Sequence, residues 1–361
     1  MQEGKAQFEI GDAFYNPKSL MVRDLGVLAA AVYRQNQGCL KIVEAMAGSG
    51  IRSLRYYLES GADYLLVNEG NGELSSLLQQ NLAAIPSEKY QLSHQDAHRL
   101  FFGCFNRRDY YDMVDVDCFG TAAPYLSTML WATKLNGLMY LTSTDGRTFA
   151  GRIPDKSLQA YGALPRSHPA IQEQALRLLI GATAQQAGAK GMGIEPIFSY
   201  FAGDTYRIMV RLLRYPNLTA DNYGFLGYCH HCGNYQTIVW RRLGKVSCSC
   251  SQPNVAVSGA MWLGELHNED FLPKMLAMAN SWQWSKAAKL LAIMIAEANL
   301  PPYFFSLKEI GRRGNLDLPG RSFLIRALEE QGYRASQTHI DPEAIKTDAS
   351  IDTCIAIAKS S

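Results

Sequence analysis

The chain has no long hydrophobic run. Its longest apolar stretches, such as residues 290–296, fall far short of the ~20 residues that cross a bilayer, which argues against a helical membrane protein. Residues 1–10 mix charges of both signs and have no apolar segment, unlike a secretory leader, so a cytoplasmic location is expected. Charge of one sign is not in excess: 35 Lys and Arg oppose 33 Asp and Glu. A nucleic-acid ligand would therefore have to be held by local patches, not by a basic body. Internal repeats and low-complexity tracts are missing, and a composition that is 47% hydrophobic and 19% charged excludes disordered, collagen-like and coiled-coil chains. At 361 residues there is room for two domains of ~100–200 residues each.

Eight cysteines in a chain this long do not make a disulfide scaffold. Cys39, Cys104 and Cys354 stand singly in apolar or mixed surroundings and are expected to be inert core residues. Cys229, Cys232, Cys248 and Cys250 are clustered instead, as C-x2-C followed by C-x-C. Four thiolates at this spacing suit tetrahedral Zn²⁺ with no open position, hence a structural knuckle within an insert at about 228–253. His230 and His231, between the first two cysteines, are substitute ligands if Cys248 or Cys250 drops out.

From residue 40 the pattern alternates between strand and helix. Strand-like runs at 40–45, 64–68, 91–93, 110–117 and 137–142 are separated by helical stretches, including 74–82 and 123–132. Such alternation predicts βαβ units and a mostly parallel sheet, hence an α/β domain with ligands at the carboxyl ends of its strands. After a further strand at 207–213 the alternation stops, which places a domain boundary near 217. Helices are expected at 270–280, 285–298, 307–312 and 322–331, followed by a short strand-like tail. The 307–333 stretch has the outline of a winged-helix unit.

The first strand ends in Ala47-Gly48-Ser49-Gly50, a turn that aims backbone N–H groups at a nucleotide-like ligand. Gly48 and Gly50 supply G-x-G, but Ser53 stands where a dinucleotide fingerprint needs Gly or Ala, which argues against a dehydrogenase. Glu69 closes the second strand, where an acid commonly accepts ribose hydroxyls, and Asp96-Ala97 follows the third, within reach of an adenine amino group. Each acid alone is equally a solvated strand end. With the glycines they point to an adenosine-type cofactor, and S-adenosylmethionine fits best because no pyrophosphate-binding glycine pattern is complete.

Asp117-Cys118-Phe119-Gly120 ends the fourth strand and resembles the D/N-P-P-Y/F loop of enzymes that methylate exocyclic amines. Such an amine is a poor nucleophile because its lone pair is delocalised into the ring. A carboxylate that accepts its N–H localises that lone pair and later takes the proton, and an adjacent aromatic ring can stack on the base. Asp115, two residues earlier on the same face, reads as a structural partner that would raise one of the two pKa values.

These pieces, together with Phe14-Tyr15-Asn16-Pro17, Arg23-Asp24, Glu44-Ala45, Gly50-Ile51-Arg52, Thr142-Ser143-Thr144-Asp145, Gln174-Ala175-Leu176-Arg177, His339-Ile340-Asp341-Pro342 and Lys346-Thr347-Asp348, occur in an order that resembles the tRNA guanine-26 N2-dimethyltransferases over nearly the whole chain. The resemblance implies a class I, Rossmann-like methyltransferase domain (1–217) and a smaller α+β C-terminal domain (218–361) that carries the zinc knuckle and binds tRNA. It implies transfer of one or two methyl groups from S-adenosylmethionine to N2 of guanosine 26, and in some members of guanosine 27. By the same resemblance Arg23 and Arg52 hold the carboxylate end of the cofactor, with Arg55 one turn away from Arg52 as a second candidate. Glu69 takes the ribose, Asp96 and Ala97 the adenine, Asp117 is the catalytic carboxylate and Phe119 the stacking ring. Two departures stand out: Cys118 replaces a usual Pro, and Glu69 a usual Asp. Lys308, Arg312, Arg313, Arg321, Arg326 and Arg334 form an array suited to tRNA phosphates, although interspersed acids leave a plain solvated face as the alternative. No obligate protein partner is implied. The rival readings are an amine methyltransferase acting on ribosomal RNA or DNA, and an inactive zinc-bearing RNA-binding protein.

Overall fold

The computed structural model describes residues 1–250, 254–317 and 320–360. Its centre is a seven-stranded sheet of β1 (Lys41–Glu44), β2 (Tyr64–Asn68), β3 (Tyr90–Ser93), β4 (Tyr111–Val116), β5 (Thr133–Ser143), β6 (Gly193–Ala202) and β7 (Thr205–Leu213). The spatial order is β3-β2-β1-β4-β5-β7-β6, parallel except for β7, which runs antiparallel to both neighbours. Every residue of β4 is buried, as expected of a strand covered on both faces, where apolar side chains need not alternate with polar ones. The chain leaves β1 for β2 on one side and returns to β4 on the other. The crevice between the carboxyl ends of β1 and β4 is therefore the topological switch point.

One face of the sheet is covered by α1 (Leu20–Gln37), which leads into β1, and the other by α4 (Ile171–Gly188). Between them in sequence, α2 (Ile51–Arg55) follows the glycine turn and α3 (Ala97–Arg107) precedes β4. The expected helix at 123–132 is a shorter α-helix, Ala123–Thr128, tightened into a 3-10 turn at Met129–Trp131. Both faces of the sheet build large cores, and these continue past residue 217. Leu226, Met261 and Trp262 join the core on the α4 side. Phe271 and residues of α5 (Leu272–Ser281) and α6 (Ser285–Glu297) join the core on the α1 side. Asn217 itself is pinned to β6, its side chain bonding both the N–H and the carbonyl of Ile194.

Beyond β7, strands β8 (Tyr223–Tyr228), β9 (Tyr235–Ile238) and β10 (Ala256–Trp262) form a separate antiparallel sheet in the order β9-β8-β10. A third core belongs to the last segment. There β11 (Phe305–Ser306), α7 (Leu307–Gly314), α8 (Arg321–Glu330), β12 (Ala335–Gln337) and β13 (Ala344–Thr347) follow α6, with sheet order β11-β13-β12. Helix–strand–helix–helix–strand–strand, with the last strand in the middle, is winged-helix connectivity. The tail after Gly332 is more than the short strand-like stretch expected, because α9 (Ile351–Lys359) closes the chain and buries Ile351, Cys354 and Ile357 in this core. Cys104 and Cys354 are core residues, but Cys39 is exposed at the start of β1, so the expectation of a buried Cys39 is corrected. Among the described residues no helix is long and apolar enough to cross a membrane.

Candidate active site

A cavity of about 770 Å³ opens at the carboxyl ends of β1, β2, β4 and β5. Of the nine residues expected to bind cofactor or act on substrate, Arg23, Gly48, Arg52, Glu69, Asp117 and Phe119 line it, whereas Gly50, Asp96 and Ala97 do not. Gly48 (φ +55°) and Gly50 (φ +78°) both have the left-handed backbone that side chains disfavour. A Cβ on Gly50 would lie 2.9 Å from Leu78 Cδ2, so this glycine serves the close packing of the turn that opens α2. The Gly48 N–H donates to Glu69 Oε2 at 2.8 Å, and Asn71 N–H donates to Oε1 at 2.9 Å, which holds the Glu69 carboxylate at the cavity wall. Asp96 caps α3 by accepting from His98 and Arg99 N–H, and its side chain is exposed just outside.

The centre of the cavity is an ionic cluster. Asp115 is fully buried and accepts from Arg207 Nη2 at 2.6 Å and from Tyr56 O–H at 2.7 Å. Asp117, 33% exposed, pairs with Arg52 and with Arg207 Nη1 at 2.9 Å. Arg207 lies over the Tyr140 ring, 3.8 Å from its centroid. Burial works to raise the Asp117 pKa, but the two guanidiniums outweigh it and hold the carboxyl well below the usual range. The expected elevation of one of the pair Asp115 and Asp117 does not fall on Asp117, because Arg52 and Arg207 both answer its charge. Glu44, at the end of β1, is raised. Burial, with Asp115 nearby, pushes it up to about 8 although Ser53 donates to it.

Phe119 is 95% exposed, and Phe14, which also lines the cavity, is 82% exposed. The Phe119 loop is nonetheless tied down. Gly120 N–H donates to Thr144 Oγ1 at 2.8 Å, Thr144 N–H returns to Gly120 O at 2.8 Å, and Cys118 Sγ packs 3.0 Å from Thr142 O. Cys118 is thus anchored where a Pro would otherwise stiffen the loop.

Arg23 of α1 and Arg55 of α2 have their charges answered. Arg23 is buried in a bidentate pair with Glu3 of the N-terminal hairpin, both contacts at 2.6 Å. Arg55 joins Glu3, Asp24 and Glu59 and stays out of the cavity wall, so it does not share the place of Arg52.

Outside the lining of this cavity, the ligand atoms of Cys229, Cys232, Cys248 and Cys250 all lie within 4.8 Å of one another. Cys229 and Cys250 are 3.6 Å apart, and Cys232 and Cys248 3.4 Å. A tetrahedral Zn²⁺ with bonds of ~2.3 Å needs sulfur separations of about 3.8 Å, so the donor set fits such an ion. His230 and His231 stand outside the four-sulfur group and offer their backbone carbonyls to Arg313 of α7.

The sequence profile of the N2,N2-dimethylguanosine tRNA methyltransferases matches residues 3–359. The chain belongs to this family. The tRNA (guanine(26)-N(2))-dimethyltransferase of Pyrococcus abyssi is 28% identical over 99% of this chain and 98% of its own. That of Saccharolobus solfataricus is 28% identical over 100% and 94%. Among solved structures, the complex of Trm1 from Pyrococcus horikoshii with S-adenosyl-L-methionine superposes with a TM-score of 0.85 at 28% identity, covering 99% of this chain and 98% of that one.

For this N2,N2-dimethylguanosine tRNA methyltransferase family member, sequence reasoning missed Arg207. The signal was available: Arg207 interrupts the apolar run Tyr206-Arg207-Ile208-Met209-Val210, and a charge there needs a buried acid. Glu44 also leads to a pH prediction. Its folded-state pKa lies above that of the unfolded chain, so the native protein keeps a proton that the unfolded chain releases. Its contribution is complete below the ordinary Glu range and is lost as pH rises toward 8. Thermal denaturation between pH 6.5 and 8.5 should show falling stability in the wild type and a flatter profile in Glu44→Gln. Parallel profiles would contradict this assignment.

Proposed function

We propose that the protein transfers one or two methyl groups from S-adenosylmethionine to N2 of guanosine 26 in tRNA, with guanosine 27 as a further target open to it. The observation that carries this reading is an ionised, doubly paired Asp117 beside an unpacked Phe119 at the switch point of a chain matched over its full length by that family. The cavity suits the cofactor in volume and donor set, with Glu69 for the ribose, the Gly48 turn beside it, and Arg52 and Arg23 toward the carboxylate end. When bound, S-adenosylmethionine supplies an electrophilic methyl group. Phe119 stacks on the extruded guanine, and the Asp117 carboxylate accepts an N–H of the exocyclic amine, which frees the lone pair. A carboxylate stabilised this strongly is a weak base. Its main task is to orient the amine, and it takes the proton only once methylation has made the nitrogen acidic.

The test uses an unmodified tRNA transcript, labelled S-adenosylmethionine, nuclease digestion and nucleoside mass analysis. N2-methyl- or N2,N2-dimethylguanosine at position 26 or 27 is the expected product. Label only in ribosomal RNA or DNA, or none despite cofactor binding, would overturn the reading.

Four further parts belong to it. Zn²⁺ at the cysteine cluster is structural, the C-terminal unit contacts tRNA, no obligate protein partner is needed, and the enzyme works in the cytoplasm. Of the basic array, Arg313 is committed to the knuckle and Glu309, and Arg334 pairs with Asp348. Lys308 and Arg326 remain exposed for phosphates. Metal analysis should give one zinc per chain, lost in Cys232→Ser, together with a lowered melting temperature because Arg313 loses the loop it braces. Zinc-free wild type with unchanged melting would contradict the structural role.

A further inference from the structure

Beside the methyl-transfer cavity lies a second and larger one, about 900 Å³, and the two share Thr144 and Asp204 as a common wall. Three arginines line it: Arg147, on the short helix Gly146–Phe149; Arg152, just after that helix; and Arg166, in the segment leading into α4. All three are exposed, and among the described residues none forms an ion pair, unlike Arg312, Arg313 and Arg334 of the C-terminal segment. The cavity wall contains a single carboxylate, Asp204, in the two-residue turn between β6 and β7. The same wall carries the half-buried ring of Phe201 and the edge of Tyr206, 4.8 Å apart between centroids, and the exposed side chain of Leu164.

Three unanswered guanidiniums around an aromatic floor, continuous with the cavity that takes a flipped base, form a nucleic-acid subsite. We infer that this cleft holds the RNA strand next to the target guanosine, with Arg147, Arg152 and Arg166 on its backbone phosphates and Phe201 under a neighbouring base. The chemistry favours RNA over a peptide or a small metabolite. Guanidinium forks match phosphate oxygens, an aromatic face accepts any base, and extruding one nucleotide pulls its neighbours out of their stack, so that they need a new surface. The contiguity with the Asp117 cavity also sets a direction. The strand passes over the shared wall at Thr144 and Asp204, and Asp204, as the one acid there, repels phosphate and turns the backbone toward the arginines.

This inference rests on the tRNA reading above, and the experiment separates the two. Arg147→Gln/Arg152→Gln/Arg166→Gln is compared with wild type and with Arg107→Gln/Arg108→Gln/Arg214→Gln. The second triple removes equal charge at exposed sites on the opposite edge of the sheet, where β4 begins and β7 ends. For each protein, tRNA affinity is measured across a salt series, with KM and kcat for tRNA and the dissociation constant for S-adenosylmethionine. The cleft triple should raise KM for tRNA by roughly 10- to 1000-fold. It should also reduce the slope of log K against log salt by about 2 to 3, since each phosphate that is no longer neutralised accounts for ~0.7–0.9. Cofactor affinity and kcat at saturating tRNA should stay within about threefold of wild type. Each single arginine variant should move the slope by about one, which guards against a triple that folds poorly.

A cleft triple with the wild-type slope and KM overturns the inference, as does a control triple that weakens binding equally. Wild type that neither binds nor methylates tRNA overturns the substrate reading and the subsite together, whereas a failure confined to the triple leaves the substrate reading standing.

Discussion

Asp117→Asn should lower methyl transfer to tRNA by about two to four orders of magnitude and leave S-adenosylmethionine affinity unchanged or improved. The carboxylate has two functions that the amide loses. It is the acceptor that localises the lone pair of the target amine, and it is the only acid of the Asp117-Cys118-Phe119-Gly120 loop able to take the resulting proton. The amide keeps one acceptor oxygen, but its NH₂ would face Arg52 or Arg207, and the side chain must turn its remaining oxygen toward one of them and away from substrate. The cofactor result runs the other way because Asp117 and the cofactor's carboxylate compete for Arg52, so neutralising Asp117 releases that guanidinium. Single-turnover rates with saturating tRNA, alongside the cofactor dissociation constant, check both halves. Because Asp117 is held ionised well below the usual carboxylate range, its protonation contributes no acid limb to the rate profile near neutrality. A variant that methylates at the wild-type rate would remove Asp117 from the chemistry.

Much of this site is legible in sequence for a physical reason: in a parallel sheet, strand ends share one edge. The tails of the runs at 40–45, 64–68 and 110–117 therefore nominate Gly48, Glu69, Asp117 and Phe119 before any contact is known, and all four line one cavity. Asp96 follows the same rule and ends beside that wall, because its side chain caps α3, a local use of the same residue type at the same position. Pattern does not reveal α1 and α4. Both are buried around most of their circumference between the sheet and other layers, so they carry no polar face and no helical stripe. Nor does it reveal that Arg23 and Arg55 share Glu3, a contact between the first residues and the helices that only the closed fold brings together. The boundary near 217 follows the end of alternation in sequence, whereas the cores continue past it to α6 and on to Phe304, Ile340 and Ala344, because apolar segments pack on whatever face is bare.

The family mark His339-Ile340-Asp341-Pro342 and the nearby Lys346 acquire a physical role in the second large prediction. Glu297, at the end of α6, is buried and accepts the backbone N–H of His339 at 3.1 Å as well as that residue's ring. Lys346 Nζ of β13 lies 3.9 Å from it and 2.8 Å from Glu173 of α4, which Arg177 grips at 2.8 Å. With His267 neutral, two acids answer Lys346 and Arg177, and this balanced set joins the winged-helix segment to the helix under the sheet. Removing one partner of a buried set leaves its counter-charge dry and unanswered. Glu297→Gln should therefore cost ~3–5 kcal/mol and lower the melting temperature by several degrees, with Lys346→Met comparable. The double variant should recover part of the loss, because it removes one charge of each sign.

The pH dependence follows from the same geometry. Burial lowers the His267 pKa to about 4, although Glu297 opposes this. Glu297 is itself held well below its ordinary value: burial would raise it, and His339, His267 and Lys346 overcome that. The unfolded chain therefore binds protons that the native joint refuses, and wild-type stability is lost as pH falls from the ordinary His range through the ordinary Glu range. Glu297→Gln should flatten the Glu part of that acid loss. Denaturation of the four proteins at pH 7.5, pH 5 and pH 3.5 measures each of these quantities, the last step covering the ordinary Glu range. Additive single effects with an unchanged acid slope would mean that the joint is only a packing contact.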